Sequence, residues 1–73
     1  MTNATNPNKI NLTLALAGDA LADAARVIAV NGLLAESAAR RGDGAEAFDR
    51  LRKVAHALDD ARAIVALAGR IAQ

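Results

Sequence analysis

From Leu12 onward the apolar residues recur at helical spacing. Leu14, Leu21, Ile28 and Ala35 repeat every seven residues, and Ala17, Ala24, Asn31 and Ala38 follow three positions after each of them. Steps of three and four put side chains on one side of an α-helix, so these positions form a single stripe. A second stripe has Leu51, Leu58, Val65 and Ala72 in one row and Val54, Ala61 and Ala68 in the next, widened by Phe48, Ile64, Leu67 and Ile71. Between the stripes lies Arg40-Arg41-Gly42-Asp43-Gly44-Ala45-Glu46. Arg40 and Arg41 place positive charge where helix carbonyls end, and Gly42 suits the left-handed residue that closes a helix. Asp43 with Glu46 three residues later makes an Asp-x-x-Glu capping pattern for the next helix. A helix that stops and restarts within about three residues reverses direction. The pattern predicts an all-α fold, an antiparallel two-helix hairpin with coiled-coil-like stripes: helix one over 12–41, the turn at 42–43 with Gly44 and Glu46 beside it, and helix two over 44–72.

The start of helix one is less sharply marked. Residues 1–11 hold four Asn, two Thr and Pro7 with few large apolar side chains. Such a segment has little burial to offset the entropy of ordering and reads as a flexible tail. Leu12, Leu14 and Leu16 alternate with Thr13 and Ala15 in a strand-like period, and Gly18-Asp19 offers a break followed by an Asp cap. The heptad favours a start near Leu12, with Asp19 as the alternative.

Composition changes the picture in one respect. Of 73 residues 53% are hydrophobic, but twenty of those 39 are Ala. The chain forms helices readily and has little with which to fill a deep core, since Ala buries little apolar area. Its apolar arcs are wider than one neighbouring helix covers, above all over Ala61–Ala72, where only Arg62, Gly69 and Arg70 are not hydrophobic. The remaining surface is expected to be buried in a homo-oligomer or against another protein. The candidate partner-binding residues are Leu21, Ile28 and Leu33 of helix one with Leu51, Leu58, Ile64, Val65, Leu67 and Ile71 of helix two. Some of these must hold the hairpin together instead.

Charge and chemistry narrow the field further. The net charge is +1, there is no cysteine, and Phe48 is the one aromatic residue. Disulfide scaffolds and Cys-based zinc sites are excluded. Arg40, Arg41, Arg50, Arg52 and Lys53 are interleaved with Asp43, Glu46 and Asp49, and Phe48 alone does not make a series of base-stacking platforms, which argues against nucleic acid as partner. Glu36 and Arg40, Glu46 and Arg50, and Asp49 and Lys53 are acid-before-base pairs four apart, the mark of a solvated helix face. His56 and Asp60 share that spacing, but no second His or Cys completes a metal site, and a surface pair is the expectation. Ser37 has no His within its helix turn, and Gly42-Asp43-Gly44 lacks phosphate-loop spacing. No catalytic residue, metal, cofactor or small-molecule substrate is expected. Asp19, Asp23 and Arg26 interrupt the first apolar stretch, so no membrane span is expected. Asn11, Thr13 and the lone preceding Lys9 argue against a cleaved signal, and the expected location is the cytoplasm.

One stretch resembles a known family. Residues 41–65 are similar to the small YscE-like co-chaperones of type III secretion needle subunits. The shared features are the Arg41-Gly42-Asp43-Gly44 turn, the single aromatic Phe48 soon after it, and Ala57-Leu58-Asp59-Asp60-Ala61-Arg62-Ala63-Ile64-Val65. The chain departs from that family in its Asn-rich start and its excess of Ala over long polar side chains. The resemblance implies a non-enzymatic hairpin that binds a helical chaperone and helps keep a needle subunit monomeric before export. The alternative is a self-sufficient homo-oligomeric bundle acting as a small regulator, similar in architecture to hairpin dimers that bind RNA among plasmid copy-number regulators.

Overall fold

The structure, a computed structural model, describes residues 7–72. It is an all-α hairpin of two helices, α1 (Pro7–Arg40) and α2 (Gly44–Ala72), packed against each other. The start of α1 corrects the expectation of a tail over 1–11 and of a first helical residue near Leu12 or Asp19. Of that tail, residues 7–11 are helical and residues 1–6 lie outside the described residues. Pro7 is suited to the first helical position, where its missing N–H is not needed. The Thr13 hydroxyl donates to the Lys9 carbonyl at 2.9 Å, so the polar residue in the strand-like Leu12–Leu16 alternation is satisfied inside the helix. The helix also runs through Gly18-Asp19. Propagation adds a hydrogen bond per residue, whereas one interior Gly costs only about 1 kcal/mol.

The turn forms where the sequence places it. Gly42 takes φ of 80°, and the Gly42 and Asp43 amides donate back to the Ala39 and Ala38 carbonyls at 3.0 and 2.8 Å. These two bonds close a Schellman motif with Gly42 as its left-handed residue. Asp43 then caps α2, its Oδ1 accepting from the Glu46 amide at 3.0 Å. The reciprocal half of a capping box is not made: the Asp43 amide is engaged with Ala38, and the Glu46 carboxylate accepts from Arg50 Nε at 2.8 Å.

The contact between the helices follows the predicted stripe on α1 and a shifted one on α2. Leu14, Ala17, Leu21, Ala24, Ile28, Asn31, Ala35 and Ala38 are all buried or half-buried. On α2 the inner positions are Ala47, Arg50, Val54, Ala57, Ala61, Ile64, Ala68 and Ile71. Leu51, Leu58 and Val65, a heptad row of α2 and candidate partner-binding residues, are 54%, 45% and 57% exposed. The residues one position earlier, Arg50, Ala57 and Ile64, line the seam. The physical reason is geometric: Arg50, which hydrogen-bonds to Asn31 across the interface, and the buried Ala57 lie on one face of α2, from which Leu51 and Leu58 are turned by about 100°. The result is a rod two helices wide, with a radius of gyration of 17.3 Å, where a globular chain of this length has about 11 Å. Among the described residues no large side chain is fully buried.

Gly42→Ala is expected to lower stability by about 1–2 kcal/mol because a Cβ strains the left-handed residue, and Asp43→Ala by about 1 kcal/mol through loss of the cap. Gly44 has ordinary helical φ and open space where a Cβ would stand, so Gly44→Ala is expected to be neutral or stabilising by tenths of a kcal/mol. Urea melts of the three variants at one fixed chain concentration check this ranking.

Candidate functional site

The polar groups weighed for chemistry stay apart. His56 is exposed, and among the described residues no hydrogen bond or ion pair joins it to Asp60, contrary to the expected surface pair. Ser37 Oγ accepts from an Arg41 guanidinium nitrogen at 2.8 Å. Among the described residues no group of three or more potential metal ligands is brought together. No helix among them is long and apolar enough to cross a membrane. The three acid-before-base pairs form as read, Arg40–Glu36 at 2.9 Å, Arg50–Glu46 at 2.8 Å and Lys53–Asp49 at 3.4 Å, with Arg26–Asp23 added at 2.6 Å.

One of these pairs is more than surface decoration. Arg50 lies on the seam and is half-buried, and its guanidinium donates both to Glu46 and, at 3.2 Å, to Asn31 Oδ1 across the helix interface. Asn31 is buried and donates its amide to the Val27 carbonyl at 2.9 Å. The Asn31–Arg50–Glu46 chain is satisfied from within, and no buried side-chain polar atom among the described residues lacks a partner. A half-buried Arg without Asn31 and Glu46 would carry the cost of desolvating its charge uncompensated.

What the hairpin presents to solvent is apolar surface. The nine candidate binding residues divide into two groups. Leu21, Ile28, Ile64 and Ile71 lie half-buried in the seam, where Ile64 and Ile71 also border the grooves between the helices. Leu33, Leu51, Leu58, Val65 and Leu67 stand outside it. Of those five, Leu51, Leu58 and Val65 share one flank of α2, Leu67 lies on the other, and Leu33 is on the back of α1. Leu12, Leu16, Val27, Val30, Leu34 and Phe48 are exposed as well. Their signal in the sequence was only that they are apolar and off the heptad, which does not separate surface from core.

The two flanks differ in character. On one, Ala20 and Val27 of α1 and Lys53 and Asp60 of α2 border an open groove of about 690 Å³, with Asp23 and His56 also at its rim. A smaller groove of about 240 Å³ continues it toward Leu16, Leu67 and Ile71. Since these positions adjoin one edge of the seam, the residues next to its other edge define the opposite flank: Gly18, Ala25, Gly32 and Ala39 on α1 beside Leu51, Leu58 and Val65 on α2. Gly42, Asp43, Gly44 and Glu46 stay at the tip as read, and the first three are exposed.

No protein-family model matches the chain, and neither does any curated protein or solved structure.

Asn31→Leu removes the cross-helix acceptor of Arg50 and adds apolar bulk. It is expected to lower thermal stability, because half-buried Arg50 keeps only Glu46 as a partner, and to broaden the distribution of associated species as the polar seam residue is lost. Sedimentation velocity of both chains at equal concentration checks it, and an unchanged distribution would show that Asn31 does not set pairing.

Proposed function

We propose that this chain is a non-enzymatic binding protein, a helical hairpin that works by laying its exposed apolar surface onto a helical protein partner. The observation that carries the reading is the mismatch between seam and surface: half of the seam positions between α1 and α2 are Ala and no large side chain there is fully buried, while among the described residues eleven large apolar side chains remain exposed. Burial of apolar surface is worth about 25 cal/mol per Å², so most of the stabilisation these side chains offer is released only on association. The polar groups of the hairpin are spread along the surface or satisfied within the seam, which supports a binding role over catalysis.

The resemblance over residues 41–65 supports one form of this role, a co-chaperone in the cytoplasm that binds a helical chaperone and helps hold a needle-type subunit monomeric. Its mechanism is physical rather than chemical. Exposed apolar residues of the groove flank, such as Leu16, Val27 and Leu67, would occupy surface that otherwise drives the subunit's polymerisation, and mass action would stabilise the hairpin in return.

A photo-crosslinking amino acid placed at Leu58 in the full chain, expressed in its source cell, tests the reading. It is expected to give one adduct of defined mass with a helical protein, while the same group at Arg52, a charged and exposed position, gives none. Equal ladders from both positions, or no adduct from either, would overturn it.

A further inference from the structure

The flank that carries Gly18 and Gly32 contains both halves of a self-complementary surface. On α2, Leu51, Leu58 and Val65 protrude, each about half exposed. On α1, the matching positions are Gly18, Ala25, Gly32 and Ala39, which leave that half of the flank low. Interior helical Gly is unfavourable relative to Ala by about 0.5–1 kcal/mol, and the hairpin itself does not require it: a Cβ at Gly18 or Gly32 meets nothing within 4 Å. The low strip therefore has no explanation inside one copy.

Resting on the binding role above, we propose that the occupant of this flank is a second copy of the chain, related by a two-fold axis running along the hairpin. The symmetry follows from the shapes. With the axis along the hairpin, α2 of each copy faces α1 of the other, so the Leu51–Leu58–Val65 row seats on the Gly18–Ala25–Gly32 strip, twice. With an axis across the hairpin, α2 faces α2, the two rows collide and the two strips face an empty gap. A two-fold interface needs one surface that complements itself, and this flank does so in the first arrangement alone.

The area agrees. From Ala15 to Ala39 the flank is about 37 Å long at 1.5 Å per residue, and two helices side by side are about 20 Å wide. That is about 750 Å² per copy, close to the roughly 800 Å² per partner of a standard stable interface. Charge is sparse across it. Glu36 is paired with Arg40 on its own helix, leaving Arg62 near the edge. The opposite flank differs, with Asp23, Lys53, His56 and Asp60 around the groove, and stays open in this dimer for a different partner.

The test is sedimentation equilibrium of the full chain with Gly32→Leu. The natural chain is expected to be a dimer. Gly32→Leu fills the strip and raises the dissociation constant by about a hundredfold, since the overpacking is met twice in a two-fold interface. Its helicity by circular dichroism stays equal or rises, because Leu is the better helix former. The direction is diagnostic: the variant is more apolar, so indiscriminate hydrophobic association would tighten. A Gly32→Leu dimer as tight as the natural one, or tighter, would overturn the proposal. A nitroxide on Gly44→Cys, in a chain with no other cysteine, reads the axis: a short distance places the tips together, whereas about 40 Å, the length of α2, places them apart and overturns it. A natural chain that stays monomeric would also overturn it, and the adduct from Leu58 then decides the binding role separately. An adduct with a different protein leaves that role standing, and none removes both.

Discussion

The composition of the seam between the two helices governs the rest of this molecule: half of its positions are Ala, among them Ala24, Ala35, Ala38 and Ala57, and its large apolar side chains, Leu14, Leu21, Ile28, Val54, Ile64 and Ile71, are each only half-buried. The seam does not specify one register by itself, because small side chains are interchangeable. It is poorly suited to supplying stability, because Ala carries little apolar area into the interface. The displaced area is on the flanks and the back of α1. The rod shape and the wealth of apolar surface thus have one origin.

The polar elements work on the same problem of register. The Schellman turn fixes where α1 ends, and the Asp43 cap fixes where α2 begins. Near that end of the rod the Asn31–Arg50–Glu46 chain adds a directional contact between helices that otherwise meet through interchangeable methyl groups. Glu46 serves this chain instead of completing the capping box. The choice places a half-buried ion pair against the seam, where solvent screens it less than the fully surface pairs Arg26–Asp23 and Arg40–Glu36.

A hairpin so arranged has much of its apolar surface on the outside. Its flanks are unequal: one is a groove with charged residues at the rim, and the other is a bare apolar face of protruding and low halves. Unequal flanks would let a small rod engage two neighbours without competition, in line with the binding role proposed above. On that proposal activity is tied to assembly, since apolar surface left exposed by the hairpin's own fold is what association draws upon.

The all-α class, the position of the turn, the start and end of α2, and the α1 stripe were readable from residue order alone, because caps, glycine turns and heptad spacing are local signals. The early start of α1 is hard to read locally because a polar, Asn-rich segment weighs against helix, even though Pro7 suits the first helical position. Neither the inward row of α2 nor the division of the nine candidate residues between seam and surface could be read locally. Leu51 and Arg50 differ by one position, and hydrophobicity favours Leu51 for the interior. Only the packed hairpin shows that Arg50 faces α1 while Leu51 does not, and that Asn31 and Glu46, one across the interface and one a helical turn away, make Arg50 acceptable there. Periodicity assigns a side chain to a face of its own helix; the distance to the neighbouring helix, which decides whether that face is core, is a property of both helices together.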